Sequence, residues 1–93
     1  MEKKYLRENV RKINTIVEEY NLHDNSLHNE FNIGELSLDT LKTIFQPRGD
    51  DEELFLAYEV DENQADSINA YLSNPISFNF SVYEYYLQRF GEY

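Results

Sequence analysis

A single α+β domain, with a mainly antiparallel sheet of about four strands in the order ββαβαβ and two short helices packed on one face, is the fold this sequence predicts. Three observations lead to it. Residues 54–60 are apolar at six of seven positions, Ser37 and Asp61 each stand where a helix cap is needed, and Asp24, Asn25 and Ser26 separate two strand-like runs. Strands that alternate with short amphipathic helices bury all their apolar stripes when one sheet carries both helices on the same side. The 93 residues suffice for one domain, 1–93, with one core and no second unit.

Residues 1–11 read as a basic lead-in able to form a helical turn. The first twenty residues leave two readings open, because Tyr5, Leu6, Val10, Ile13, Val17 and Tyr20 follow helical spacing while Thr15, Ile16 and Val17 are β-branched. The turn-forming residues next in the chain favour a strand over residues 13–22. Asp, Asn and Ser turn a chain through side-chain to backbone bonds, so Leu22 and Leu27 are expected to flank a hairpin loop, with a second strand over residues 27–34.

Ser37 opens the first helix as N-cap, Asp39 suits the positive end of its dipole, and Leu38, Leu41 and Phe45 make the buried stripe. Pro47 and Gly49 end it. Residues 54–60, apolar on both faces, are expected to form the central strand. Asp61 and Gln64 then stand at capping-box spacing, with Val60 and Ala65 as a staple, and Asn74-Pro75 stops the second helix. The closing segment alternates through Phe78, Phe80 and Val82 and reads as a strand. Beyond Val82 the alternation blurs, and a helix over residues 82–89 is the competing reading.

The net charge is −10, and it is uneven. Residues 1–12 hold five Lys or Arg (Lys3, Lys4, Arg7, Arg11, Lys12) against two acids, which leaves −13 for the remainder. Eight acids fall within residues 50–66 with no Lys or Arg among them. Such a body repels nucleic acid and anionic membranes and attracts a basic protein, although acidic surfaces often serve only solubility. No cysteine is present, which excludes thiol nucleophiles, thiolate metal sites and disulfides and fits a reducing cytoplasm. No apolar run approaches the roughly 18 residues of a membrane span, and the opening residues lack an apolar leader core.

Catalytic chemistry finds little support. His23 and His28 flank a turn and are not a ligand set, so no metal is expected. Neither has an identifiable nucleophile or orienting partner. Gly34, Gly49 and Gly91 are scattered, so no phosphate-cradling loop exists and no cofactor is expected. The abundant carboxylates lie in charge runs, where solvation explains them better than acid-base catalysis.

The tyrosines are more informative. Tyr58, Tyr71, Tyr83, Tyr85, Tyr86 and Tyr93 exceed what a small core requires, and tyrosine is enriched at protein interfaces because it offers large contact area at small entropic cost. Tyr83 and Tyr85 are expected to share a face beside Glu84. Were Phe55, Tyr83 and Tyr85 instead to form a self-complementary apolar patch, a structural subunit would be the reading.

The stretch ELFLAYEVDENQADSINAYLSNPISFNFSVYEYYLQRF resembles the small acidic proteins encoded beside bacterial polymorphic toxins, in particular immunity proteins of contact-dependent growth inhibition systems. The likeness is one of pattern: a strand ending in YEVDENQA, a helix ending at proline, and an aromatic strand with YEYYL. It implies a cytoplasmic, non-enzymatic inhibitor, a monomer or weak dimer, that binds one cognate toxin domain, often a nuclease, and occludes its active site or substrate cleft. The expected contact surface is Asp50, Asp51, Glu52, Glu53, Asp61, Glu62 and the strand bearing Tyr83, Glu84, Tyr85 and Tyr86. The alternative is an acidic nucleic-acid mimic that inhibits or adapts another basic protein. The basic residues Lys3, Lys4, Arg7, Arg11 and Lys12 fit the immunity reading less well and would pair with the protein's own acids or lie away from the interface.

Overall fold

The computed structural model describes residues 12–92, so the basic lead-in expected over residues 1–11 lies outside the described residues. The chain forms β1 (Lys12–Asn21), β2 (Leu27–Asn32), α1 (Leu38–Ile44), β3 (Tyr58–Glu59), α2 (Glu62–Tyr71) and β4 (Tyr83–Glu92). The ββαβαβ order is the one expected. The four strands make one antiparallel sheet in the order β2-β1-β4-β3, so β1 and β4 are central.

The hairpin closes through the chemistry its residues supply. Asp24 Oδ1 accepts from the Ser26 backbone N–H at 3.0 Å and from its hydroxyl at 2.7 Å, while Asn25 takes the left-handed φ of 60° that Asn tolerates. Strand β1 resolves the open reading of residues 12–20 in favour of extended chain. It pairs with β4 along its whole length, from Lys12 opposite Glu92 to Asn21 opposite Tyr83.

Both helix caps form as the sequence predicts. Ser37 Oγ accepts from the Thr40 N–H at 3.1 Å. Asp61 Oδ1 accepts from the Gln64 N–H at 2.8 Å while Gln64 Oε1 accepts from the Asp61 N–H at 2.9 Å, a complete capping box with Asp in place of Ser or Thr. Gln64 Nε2 also donates to the Ile44 carbonyl at 3.3 Å and so ties α2 to the end of α1. Asn69 holds the chain beyond α2, bonding both the N–H and the carbonyl of Ile76.

Two expectations are corrected. Residues 54–60 are not a central strand: only Tyr58–Glu59 pairs, at the sheet edge beside β4. Leu54 has φ 58°, a left-handed backbone that an extended strand excludes, and Asp51 takes the N–H groups of Phe55 (2.8 Å) and Leu56 (2.9 Å) that a strand ladder would use. Residues 78–82 are likewise irregular. The Asn79 carbonyl accepts from Val82 and Tyr83 in a turn, and the last strand starts at Tyr83 and continues to Glu92, which also overturns the helix over residues 82–89.

The core lies between the helices and one sheet face. Val17, Tyr58, Tyr85 and Leu87 of the strands pack with Leu41 and Phe45 at α1 and Ala65 and Ile68 of α2 in one buried cluster. Each of these strand residues alternates with one on the opposite face.

Candidate protein-interaction surface

Strand alternation assigns the described side chains of β1 and β4 to the helix side or to the open side. Thr15, Val17, Glu19, Tyr85, Leu87 and Arg89 are buried on the helix side. Ile16, Glu18, Tyr20, Glu84, Tyr86, Gln88 and Phe90 lie on the other side, which no described helix covers. The register lays Glu30, Glu18, Tyr86 and Glu59 in a single row across all four strands. In the next row Tyr20 stands opposite Glu84.

These two rows form a checkerboard of carboxylate and ring. Tyr20 donates its hydroxyl to Glu18 Oε1 at 2.9 Å, and Tyr86 donates to Glu84 Oε1 at 3.1 Å. The two rings meet edge to face, centroids 5.8 Å apart at 78°. The hydrogen bond to Glu18 raises the Tyr20 pKa, and the bond to Glu84 does the same for Tyr86, because each phenol is held in its donating form by a neighbouring anion. Glu18, Tyr20, Glu84 and Tyr86 line a shallow depression together with Asn25, Ala57 and Gln88. Among the described side chains of this face none is Lys or Arg. Glu18 and Glu30 stand directly opposite each other, a like-charge pair that costs stability.

The residues expected to make the contact surface fall in several places. Asp50 and Glu52 are exposed in the loop before β3. Asp51 is part of that loop's framework, accepting from Tyr58 OH at 2.6 Å as well as from the two backbone amides. Burial works to raise the Asp51 pKa, but the bonds from Tyr58, Leu56 and Phe55 and the nearby Arg48 outweigh it and hold the carboxyl below its usual value. The Glu53 carbonyl accepts from the Arg89 guanidinium. Asp61 serves as the helix cap, and with Glu59 and Glu62 it lines a second hollow beside Phe80.

Tyr83 and Tyr85 do share a face, but it is the helix side. Tyr85 is fully buried, with Phe78 and Phe80 packed edge-on against its ring, so it cannot contribute to a surface patch with Phe55. Tyr83 stacks on His28 at 4.6 Å. Glu84 points to the opposite face and joins Tyr86 there. Glu18, Tyr20, Glu30 and Glu59 are not among the expected contacts; the Glu-x-Tyr spacing in β1, repeated at Glu84 and Tyr86 in β4, marks Glu18 and Tyr20, whereas only strand pairing brings Glu30 and Glu59 beside them.

One polar cluster is internal. Glu19, 4% exposed, accepts from Tyr85 OH at 2.5 Å and lies 2.7 Å from His28 Nδ1, and Tyr85 OH accepts from the Asn79 N–H at 3.0 Å. His28 is about half exposed and has this one carboxylate partner, and His23 lies 3.5 Å from Asp24 in the turn. Among the described residues no group of three or more His, Cys, Asp or Glu is placed to hold a metal ion. No described helix is long and apolar enough to cross a membrane.

Fold and face together define a small open-faced α+β protein with an acid-and-tyrosine sheet surface. The chain belongs to the family described as a domain of unknown function (DUF7683), which residues 14–88 match. No curated protein and no solved structure matches it.

Proposed function

We propose that this protein is a cytoplasmic immunity protein that binds a cognate toxin domain and neutralises it by covering its active site or substrate cleft. The observation that carries the reading is the open sheet face, where Glu18, Glu30, Glu59 and Glu84 surround Tyr20 and Tyr86 with no described cation among them. Carboxylates steer a basic cleft toward the face and set partner choice, and the tyrosines supply contact area that slows dissociation. Exposed Asp50 and Glu52 extend the negative field at the sheet's β3 edge. The action is steric and electrostatic, requires no cofactor, and is that of a monomer or weak dimer.

The test is growth rescue. A toxin-like domain encoded next to this protein in its source genome is expressed alone and with it. Rescue that disappears in a folded Glu18→Lys, Glu84→Lys variant supports the reading. Undiminished toxicity in the presence of folded protein overturns it, and capture of a different basic protein through the same face would then favour the acidic-mimic inhibitor.

A further inference from the structure

We infer that the checkerboard of Glu18, Tyr20, Glu84 and Tyr86 is a receptor for an arginine side chain of the partner, in preference to lysine. This rests on the reading that the open face meets a basic protein, and it names the group recognised there. Directly opposite residues of an antiparallel pair have Cβ atoms about 4.5–5.5 Å apart, so Glu18 opposite Tyr86 and Tyr20 opposite Glu84 each put a carboxylate beside a ring. The same juxtaposition recurs along each strand, two residues apart. The edge-to-face contact covers one ring face, and a cation laid on an uncovered face meets a carboxylate at its edge.

Arginine fits this arrangement better than lysine. Its guanidinium is planar, weakly hydrated, able to stack on an aromatic face and to fork onto a carboxylate with two N–H groups, whereas an ammonium is a compact and strongly hydrated point charge. The tyrosine hydroxyls each occupy one oxygen of Glu18 and of Glu84, at 2.9 and 3.1 Å, which orients the carboxylates and leaves a second oxygen on each as acceptor. The opposition of Glu18 and Glu30 is relieved when a cation arrives. A partner arginine therefore finds charge, ring and relief of repulsion at one place.

The experiment titrates the full chain, isotope-labelled for NMR, with capped tetra-arginine and with capped tetra-lysine at about 0.15 M salt. Tetra-arginine is expected to bind about threefold to tenfold tighter, with shifts centred on Glu18, Tyr20, Glu84 and Tyr86. Tyr86→Leu, checked for folding by near-ultraviolet circular dichroism, should lower tetra-arginine affinity more than tetra-lysine affinity and so erase that preference, and Tyr86→Phe, which keeps the ring, should retain it. Equal affinities at this face overturn the arginine receptor and leave the basic-partner reading standing. Shifts confined to the loop of Asp50 and Glu52 overturn the location. No shifts at all with either peptide would overturn both.

Discussion

The phenol of Tyr85 donates a 2.5 Å hydrogen bond to Glu19 Oε2 in the interior, joining the two central strands on the side the helices cover. A buried carboxylate needs such partners, and Glu19 has His28 on its other oxygen. Tyr85→Phe keeps the packing against Phe78 and Phe80 but removes this donor. We expect a loss of about 1–3 kcal/mol, read as a lower urea midpoint with an unchanged slope. A stability equal to wild type would show that water replaces the phenol at no cost.

The same bond sets an alkaline limit. Burial foremost, and then the hydrogen bond to Glu19, pushes the Tyr85 phenol up to about 12. An unfolded tyrosine titrates near pH 10, so the stabilisation is complete below about pH 10 and is lost as pH rises toward 12. Absorbance titration should find the last-ionising phenol of the wild type missing from Tyr85→Phe, with the raised phenols of Tyr20 and Tyr86 still present.

Asp51 gives the opposite sign. Its folded pKa lies below the ordinary 3.8, so its contribution is present above that value and fades as pH falls through the folded one. Asp51→Asn should flatten the acid limb of the stability curve. Asp51→Ala should cost about 1–2 kcal/mol, whereas Asp50→Ala and Glu52→Ala should stay within about 0.5 kcal/mol. Equal effects at the three positions would deny Asp51 its role in the loop. Charge reversal aimed at binding therefore belongs at Asp50 and Glu52 and not at Asp51.

On the open face, stability and binding should move in opposite directions. Glu30→Gln removes the like-charge opposition with Glu18 and should stabilise by about 0.5 kcal/mol while slowing association with the proposed basic partner, most strongly at low salt. Thermal melts and stopped-flow association rates measure the two separately. A variant that binds at the wild-type rate at low salt would place the interface elsewhere.

Asp61→Ala should cost about 1 kcal/mol, because it removes one half of the box that starts α2. Hydrogen exchange should show faster opening of the first turn, at Asn63 and Gln64. Asp61→Ser should retain most of the protection.

Much of this architecture was legible in the residues because it is set locally. The hairpin turn rests on Asp24 and Ser26, and the helix starts on Ser37 and on Asp61 with Gln64, each only a few residues from its partner. What escaped depends on contacts distant in sequence or on side chains that compete with the ladder. Residues 54–60 have a strand's composition, but Asp51 captures the amides of Phe55 and Leu56. Phe78 and Phe80 alternate because their rings both close on Tyr85, not because a strand runs there. For the surface, alternation in β4 separates Tyr83 and Tyr85 from Glu84 and Tyr86, but only the pairing with β1 and the placement of the helices decide which set faces solvent.

The division of β1 and β4 into two faces has an evolutionary corollary. Val17, Tyr85 and Leu87 are constrained by their neighbours in the core, whereas Glu18, Tyr20, Glu84 and Tyr86 touch one another on the open face and not the core. Recognition can therefore be rewritten one alternate residue at a time while the scaffold is inherited intact. In such a family, divergence concentrated at the even-numbered positions of these two strands would be the trace of partners changing faster than the fold.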